Sequence, residues 1–560
     1  MRRGVLALLI GGLVAAPLEA RAPRAKQPRK PHATWVSDRW QLPKLTTPAE
    51  PAPTETLADA LDAAYRSSPA LQARRYDLRA TDEDYAQALA ELRPTAQLQV
   101  TGNFTRTLAG RITQGRRSFA DQLKGSTFNE NRASAEVTVD QPLYTGGRAT
   151  ADALAGSAAI SAGREELRAT EGDLFLRVIS AYAAIRRDGR TLALRKASID
   201  QIKATLDEVT ARREAGELTR TDIAQAATQL DAAIATANIA EQQLDQDRSS
   251  YAALVGHDPG VLAPEPGLPQ LPRSLDEAFD LAQRLNPELS QAVAAERTSR
   301  ARIAAAAAEE HPRLSVRGSA RLGGQAVPLH TYNQDQEYTG QAVLTVPLTQ
   351  GGMTSSRIEQ ARDRNAADRA RIEGARRSMV QQVIDAWNGV STAQRNLVVQ
   401  QAQLKSAQVL DEGTFEEYRA GLRSTFDVLF AHGSLRDAEI ALVSTRHDLY
   451  VAQASLLRQM GLLEARAILS ETPLYQPDAN TREAAGRNAL PWDPALRAFD
   501  RVGKSGPPAL PIEQPGLPDL PPRLLPATPM PVVPRASQSP GVPLPGTVGH
   551  PIDSHEQKRP

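Results

Sequence analysis

Charged residues follow two glycines that each interrupt a long apolar pattern. Asp222 lies shortly after Gly216, and Arg423 and Asp427 lie shortly after Gly421. An arginine and an aspartate on adjacent helices form a charge-assisted hydrogen bond, so Arg423 near Asp222 would hold such helices together. Copies of Asp427 gathered around one axis would form a ring that attracts cations and whose charges repel one another. The alternative is that both aspartates only begin helices, where an acidic side chain suits the helix dipole.

The sequence has no pattern that is typical of an enzyme. Its 8 histidines are scattered without the spacing of metal ligands, and it has neither a phosphate-binding loop nor a nucleophile elbow. The absence of cysteine excludes disulfides and thiolate metal sites. The 66 basic residues balance the 65 acidic ones, which gives no support for a nucleic-acid surface. We therefore expect no catalytic activity, no cofactor and no nucleic-acid partner.

The elements that carry the charged residues occur twice. The distance from Pro69 to Pro287 equals the distance from Pro94 to Pro312. A period of about 210 residues indicates two copies of one large unit rather than a solenoid of small ones. Further pairs share a second, slightly shorter offset: Gly146-Gly147 with Gly351-Gly352, Gly216 with Gly421, and Asp222 with Asp427.

Two long segments, 143–258 and 348–472, contain no proline. Their apolar residues are three, four or seven positions apart, as in Ile199, Ile202 and Leu206, which is the spacing of a coiled coil. At 1.5 Å per residue the stretch before each glycine break gives on the order of 100 Å of helix. We predict one long helical hairpin in each unit, turning at about residue 216 or 421.

Between the helical segments the pattern changes to an alternation of apolar and polar residues. Four strands of about ten residues are predicted, two within 95–141 and two within 313–347. The alternative is a soluble sheet with one hydrated face. Proline disfavours helix in the residue before it and cannot donate to a strand ladder, so prolines mark the change from helix to strand. The predicted helix–strand junctions are Pro94, Pro142, Pro312 and Pro347, together with Gly146, Gly147, Gly351 and Gly352.

The prolines also divide the chain. A basic start followed by a short apolar run is typical of a secretory signal. The predicted divisions are a signal peptide at 1–22, a Pro-rich linker at 23–55, a first repeat at 56–258, a Pro-rich linker at 259–273, a second repeat at 274–475, and a Pro-rich, disordered tail at 476–560.

Four strands are too few to close a membrane barrel, for which about eight is the lower limit. The open edges must then be paired with other copies, since an unpaired edge is not stable in lipid. Three copies in cyclic association would supply twelve strands and a hydrated interior.

The sequence resembles the family of TolC-type outer-membrane efflux proteins from about Thr56 to Tyr475. The resemblance is carried by duplicated helix starts, by two strand–helix junctions and by the segment around the second turn. These are 57–61 (LADAL) with 275–279 (LDEAF), 141–148 (QPLYTGGR) with 346–352 (VPLTQGG), and 418–421 (YRAG) running to 426–429 (FDVL).

The resemblance implies a mainly helical homotrimer whose twelve-stranded β-barrel in the outer membrane of a Gram-negative bacterium continues into a periplasmic α-helical barrel. It implies a passive exit duct, gated at the periplasmic tip, for efflux of small molecules or for type I protein secretion. The implied partners are a periplasmic adaptor protein, an inner-membrane RND or ABC transporter, and outer-membrane lipid. The alternative function is that of a soluble periplasmic coiled-coil scaffold.

The resemblance also implies roles for single residues near the turns. A latch that holds the mouth closed corresponds to Thr221, Asp222, Tyr418 and Arg423. Asp427 corresponds to one aspartate of the pore constriction, whereas Phe430 occupies the family's second acidic position. Gly216 and Gly421 mark the tips that dock on the adaptor, although turn formation alone also explains a glycine there.

Overall fold

The computed structural model describes residues 54–108, 127–268, 271–325, 334–469 and 473–502. The predicted signal peptide, nearly all of the N-terminal linker and the tail beyond residue 502 lie outside these ranges. The described chain is mostly helical and contains one small antiparallel sheet, as predicted. Among the described residues, no helix combines the length and the hydropathy needed to cross a bilayer.

Two sets of six elements follow one another in the same order: two short helices, two strands and two long helices. The first set is α1 (Leu57–Ser67), α2 (Pro69–Ala90), β1 (Thr95–Leu108), β2 (Thr127–Tyr144), α3 (Arg148–Glu214) and α4 (Arg220–Val255). The second set is α5 (Leu275–Leu285), α6 (Pro287–Ala307), β3 (Arg313–Gln325), β4 (Gln334–Thr345), α7 (Met353–Arg419) and α8 (Thr425–Gln459). Both α3 and α7 have 67 residues, which shows how closely the second copy repeats the first.

The first long helix of each set, α3 or α7, begins directly after a pair of glycines. Gly147 and Gly352 both have a φ of 81°, a conformation that favours glycine over other residues. From there the helices continue without a proline to interrupt them, and 67 residues at 1.5 Å each correspond to about 100 Å. The sequence therefore specifies both where these helices start and why they are long.

The four strands form one sheet in the order β1-β2-β3-β4. One face carries exposed apolar side chains from all four strands: Leu98, Val100, Phe104, Val137, Val139, Val316, Tyr338 and Leu344. The opposite face is polar, and Arg317 Nη2 lies 2.7 Å from Asp140 Oδ2 across the β2–β3 pair. Within the described chain, β1 and β4 each pair with a single neighbour, so the sheet has two open edges.

The predicted strand length is wrong, and so is the position of one strand end. The strands have 12 to 18 residues rather than about ten, and β2 continues through Pro142. The β2–β3 pairing shifts between Pro142 and Tyr144, so the strand passes the proline at an irregularity in the ladder. The other three prolines lie just outside the strands.

Each repeat has its own apolar core, in which the middle of α3 or α7 packs with the short helices and with the C-terminal part of α4 or α8. Phe175, Val178 and Tyr182 of α3 are buried against α1 and α4 in the first core. Trp387 of α7 is buried with Phe279 of α5 in the second core. These cores fix the part of each helical hairpin that is far from its turn. A much smaller cluster packs the hairpins together near the turns.

The prediction of a disordered tail from residue 476 is wrong for its first part. Residues 477–502 contain two helices, α10 (Pro477–Gly486) and α11 (Asp493–Asp500), after the short helix α9 (Ala465–Ile468). They are anchored on the first repeat, where Arg93 Nε lies 3.0 Å from Asp493 Oδ2. Asp82, which is fully buried, accepts hydrogen bonds from Asn480 and Thr481. Proline content alone did not reveal these polar contacts. We call residues 477–502 the C-terminal clasp.

Candidate functional site

The two turns between the long helices have the same backbone geometry. Gly216 and Gly421 have φ values of 86° and 77°. Gly216 N donates to Arg213 O at 2.8 Å, and Gly421 N donates to Tyr418 O at 2.9 Å. Glycine is required at both positions because of this left-handed conformation. Turn formation thus accounts for both glycines, and their predicted contact with an adaptor stays a prediction.

The two aspartates after the turns cap the returning helices. Asp222 Oδ2 accepts hydrogen bonds from the backbone and hydroxyl of Thr219, both at 2.8 Å. Asp427 Oδ2 accepts the equivalent bonds from Ser424, at 3.0 and 2.8 Å. These bonds lower the pKa of both carboxyl groups, so both are ionised at neutral pH. Both aspartates therefore play the helix-starting role that the sequence left open as the alternative.

Arg423 forms an ion pair with a residue of its own turn region within the single chain. Its Nε donates to Glu417 Oε2 at 2.6 Å, across the second turn. This carboxylate raises the pKa of Arg423. Asp222 belongs to the first turn, and its Oδ2 is occupied by Thr219. The single chain does not bring these two residues into an ion pair, and the expected pairing of Arg423 with Thr221 or Asp222 stays a prediction.

Tyr418 connects the two hairpins in a way that sequence reasoning missed. Its side chain is buried, and the guanidinium carbon of Arg212 lies 5.1 Å from the centre of its ring. Arg212 belongs to α3, and its Nε also donates to Glu217 Oε2 at 3.0 Å. The first turn thus supplies a cation to an aromatic ring beside the second turn. The sequence carries a signal only for the local ion pairs, because opposite charges flank both glycines: Arg212 with Glu217, and Glu417 with Arg423.

A small apolar cluster packs the hairpins together near the same end. Leu429 of α8 contacts Ile202 of α3 and Ala226 of α4, all of them buried. By contrast, Phe426 and Phe430 are exposed, and their rings stack with centroids 6.5 Å apart. One side of α8 therefore holds the chain together, and another presents two aromatic rings outward.

The two helix–strand junctions differ in their surroundings. A Cβ added at Gly146 would lie 2.8 Å from the His311 Cβ, so the first junction packs closely on the start of β3. A Cβ added at Gly351 would have nothing within 4 Å. The equivalent glycine of the second junction is thus open in the single chain.

The first junction is also bound by the clasp through Asp500, whose side chain is fully buried. Its Oδ1 accepts hydrogen bonds from Thr145 N at 2.7 Å and from Gly147 N at 3.1 Å. Its Oδ2 accepts from Thr150 N at 3.3 Å and from the Thr150 hydroxyl at 3.0 Å. Gly147 has no side chain to cap α3, and Asp500 supplies the missing cap from a distant part of the sequence.

The comparisons with known proteins agree with this architecture. Residues 60–257 and 278–462 match the outer membrane efflux protein family, so the chain belongs to that family. The sequence is 26% identical to the outer membrane efflux protein BepC of Brucella suis over 76% of this chain and 89% of that protein. It is 24% identical to the outer membrane protein TolC of Escherichia coli over 80% of this chain and 89% of that protein.

Solved structures of outer-membrane channels have the same fold. The Campylobacter jejuni CmeC outer membrane channel superposes with a TM-score of 0.64 at 12% identity, covering 78% of this chain and 90% of that one. The resemblance and the function expected from it are confirmed, as is the expected localisation to the outer membrane. The soluble scaffold alternative is not supported.

Proposed function

We propose that three copies of this chain form the exit duct of a tripartite pump. Their sheets would close a twelve-stranded barrel in the outer membrane, and their long helices would continue it as a tube into the periplasm. The observation that carries this proposal is the four-stranded sheet, which has an apolar face and two open edges. Such a sheet is stable in lipid only when both edges are paired.

The two faces of the sheet fit the two sides of a membrane barrel. The exposed apolar face, which includes Val100 and Leu344, suits contact with lipid. The polar face places Arg317 against Asp140 and aligns Arg321 with Glu136 and Glu337, which suits a hydrated interior. The polar face therefore carries side chains of both signs. Small molecules and secreted proteins are both compatible with it.

The hairpin tips form the periplasmic mouth in this arrangement. Arg423 of one copy would reach Thr221 or Asp222 of the next, exchanging its bond with Glu417 for one between copies. Three copies of Asp427 would form a single acidic ring. Phe430 would add an apolar ring in place of a second acidic one, and an apolar constriction closes a pore by excluding water.

The tips would also receive the periplasmic adaptor, which links the duct to an RND or ABC transporter of the inner membrane. Gly216 and Gly421 would shape this surface, with the exposed ring of Phe426 beside the second turn. Energy for transport would come from the transporter, since the duct is passive.

Fractionation of cells expressing the full chain tests the proposal directly. We expect the protein in the outer membrane as an SDS-resistant trimer that forms channels in planar bilayers. A hydrated monomer in the periplasmic fraction would overturn the proposal. Crosslinking in cells, followed by identification of the adaptor that co-purifies, then distinguishes drug efflux from protein secretion.

A further inference from the structure

The last helix of the C-terminal clasp, α11, has its charged side chains inside and its apolar ones outside. A helix on the surface of a soluble protein normally has the opposite arrangement. Asp493 and Asp500 are buried and hold α11 to the first repeat. The exposed side is a stripe of four apolar residues spaced three, four and three positions apart: Trp492, Ala495, Phe499 and Val502. We call these four residues the clasp stripe; the two aromatic side chains are 49% and 48% exposed.

The clasp stripe continues the apolar face of the sheet, at the end where the strands meet the helices. The ring of Phe499 packs edge-on against the ring of Tyr144, with centroids 5.8 Å apart. The shift in the β2–β3 pairing after Pro142 places Tyr144 opposite Leu314, which in turn lies opposite Leu344. Residues directly opposite one another share a face, and Leu344 belongs to the exposed apolar face. The irregularity therefore turns Tyr144 towards that face and brings it to α11.

We propose that the clasp stripe binds the phospholipid surface of the outer membrane, at its boundary with the periplasm. This inference rests on the proposed duct, in which the apolar face of the sheet contacts lipid and the long helices extend into the periplasm. Tryptophan and tyrosine concentrate at such boundaries, because each joins an apolar ring to a polar group. Arg501 is exposed at the end of α11, and its charge is opposite to that of lipid phosphate groups. The family match ends at residue 462, so it assigns no role to the clasp.

The position of the clasp stripe favours lipid over a second copy of the chain. In the proposed trimer, neighbouring copies meet at the edge strands β1 and β4. Tyr144 belongs to β2, which lies between two other strands of its own chain. The polar side of α11 holds it at the start of α3, so this short helix does not depend on lipid alone for its place. Bound to the membrane surface, it would fix the depth at which the sheet lies in the bilayer.

A spin label on a single cysteine tests the contact, because the natural chain contains no cysteine. Ala495→Cys places the label in the clasp stripe. The matched control is Ala479→Cys, an exposed alanine of α10. Its neighbour Asp478 pairs with Arg164, about 24 Å along α3 from the start of that helix, so the control lies well away from the proposed membrane surface.

The full-length variants would be reconstituted in vesicles of phosphatidylethanolamine and phosphatidylglycerol. Oxygen concentrates in lipid, whereas a water-soluble nickel chelate is excluded from it. We expect oxygen to relax the label at position 495 more strongly than the nickel chelate does. The label at position 479 should show the reverse order.

The outcomes separate the clasp from the duct itself. Stronger relaxation by the nickel chelate at position 495, in a protein that forms SDS-resistant trimers, would overturn this inference and leave the duct standing. Protection from both reagents would also overturn it, since protein would then cover the stripe. The covering segment is the tail if a chain ending at residue 502 loses the protection, and a neighbouring copy if it does not. Absence of both trimers and membrane insertion would overturn the inference together with the duct.

Trp492 gives a second measurement that needs no label. Phospholipids brominated in their acyl chains quench the fluorescence of tryptophans that they touch. The chain has 4 tryptophans, so the comparison with Trp492→Phe isolates the contribution of this one. We expect the fluorescence lost in brominated vesicles to be smaller for Trp492→Phe than for the natural protein. Equal losses would place the ring outside the lipid and overturn the inference.

Discussion

Arg212 and Tyr418 join the two helical hairpins at their remote ends, with the guanidinium carbon 5.1 Å from the ring centre. They come from different repeats and lie close to different turns. The Glu217 carboxylate fixes the guanidinium and raises the pKa of Arg212. The contact therefore holds the tip of one hairpin against the other within each copy, and in the proposed trimer it would influence the width of the mouth.

Removing the cation should loosen this contact. We expect Arg212→Gln to raise single-channel conductance in planar bilayers, because a cation–π contact contributes about 0.5–2 kcal/mol. Tyr418→Phe keeps the aromatic ring and should leave this contact in place, whereas Tyr418→Leu should resemble Arg212→Gln. If Tyr418→Phe and Tyr418→Leu change conductance equally, the hydroxyl rather than the ring makes the contact.

The proposed latch between copies gives a separate prediction. The double variant Arg423→Ser with Tyr418→Phe should raise single-channel conductance, since it removes the cation that would bind Thr221 or Asp222 of the neighbour. Glu417→Gln is the matched control, because it removes only the partner of Arg423 within the chain. It should leave the mouth closed or close it more firmly. Unchanged conductance in the double variant would count against the latch.

Phe430 gives a prediction about cation block. We expect Phe430→Asp to make the channel bind and be blocked by multivalent cations from the periplasmic side more strongly than the natural protein. The variant would add three carboxylates near the three of Asp427, and like charges at close range favour bound cations. Phe430→Asn, which is polar but uncharged, controls for the lost ring. Equal block in the two variants would place residue 430 away from the pore axis.

Features that depend on residues close together in the sequence could be predicted. Contacts between residues far apart in the sequence could not. The long helices follow from proline-free stretches and paired glycines, both of which are local signals. The alternating strands were equally visible, although Pro142 did not end β2 as expected. The contacts of Asp500 and Arg212 could not be predicted, because each depends on a residue in another repeat or a distant segment.

A half-buried carboxyl group on α3, that of Glu171, predicts a dependence of stability on pH. Burial raises the pKa of Glu171 to about 7, above its ordinary value of 4.5, despite the opposing charge of Arg75. The folded protein therefore holds a proton that the unfolded chain releases, so stability falls as pH rises from about 4.5 to about 7. We expect Glu171→Gln to flatten this decline, with a gain of up to about 3 kcal/mol above pH 7. Thermal unfolding between about pH 5 and about pH 8 measures it.

The control for this variant is Glu166→Gln, on the same helix. The Glu166 carboxylate is about one third exposed and lies 2.7 Å from Arg74. The Glu166→Gln variant also removes one negative charge, but not from a buried site. Its stability should therefore change with pH in parallel with that of the natural protein. A Glu171→Gln profile with the natural slope would show that the burial of this group does not control stability.

Asp500 gives a prediction about the clasp. Asp500→Asn keeps the shape of the side chain but replaces one acceptor oxygen with an amide group that faces N–H and O–H donors. Buried groups left without a partner cost about 1–3 kcal/mol, so thermal stability should fall by a corresponding amount. Asp478→Asn is the control, since Asp478 is an exposed clasp residue that pairs with Arg164. Its loss should change stability little.

Truncation separates the clasp from the remaining tail. A chain ending at residue 502 keeps every contact of Asp500 and should form trimers and transport as the full chain does. A chain ending at residue 476 loses the cap of α3 and the partners of Asp82 and Arg93, and it should form fewer SDS-resistant trimers. Trypsin should then cleave it faster near Arg148, the first residue of the uncapped helix. Equal trimer yield and equal cleavage in the two truncated chains would mean that α3 holds its junction without the clasp.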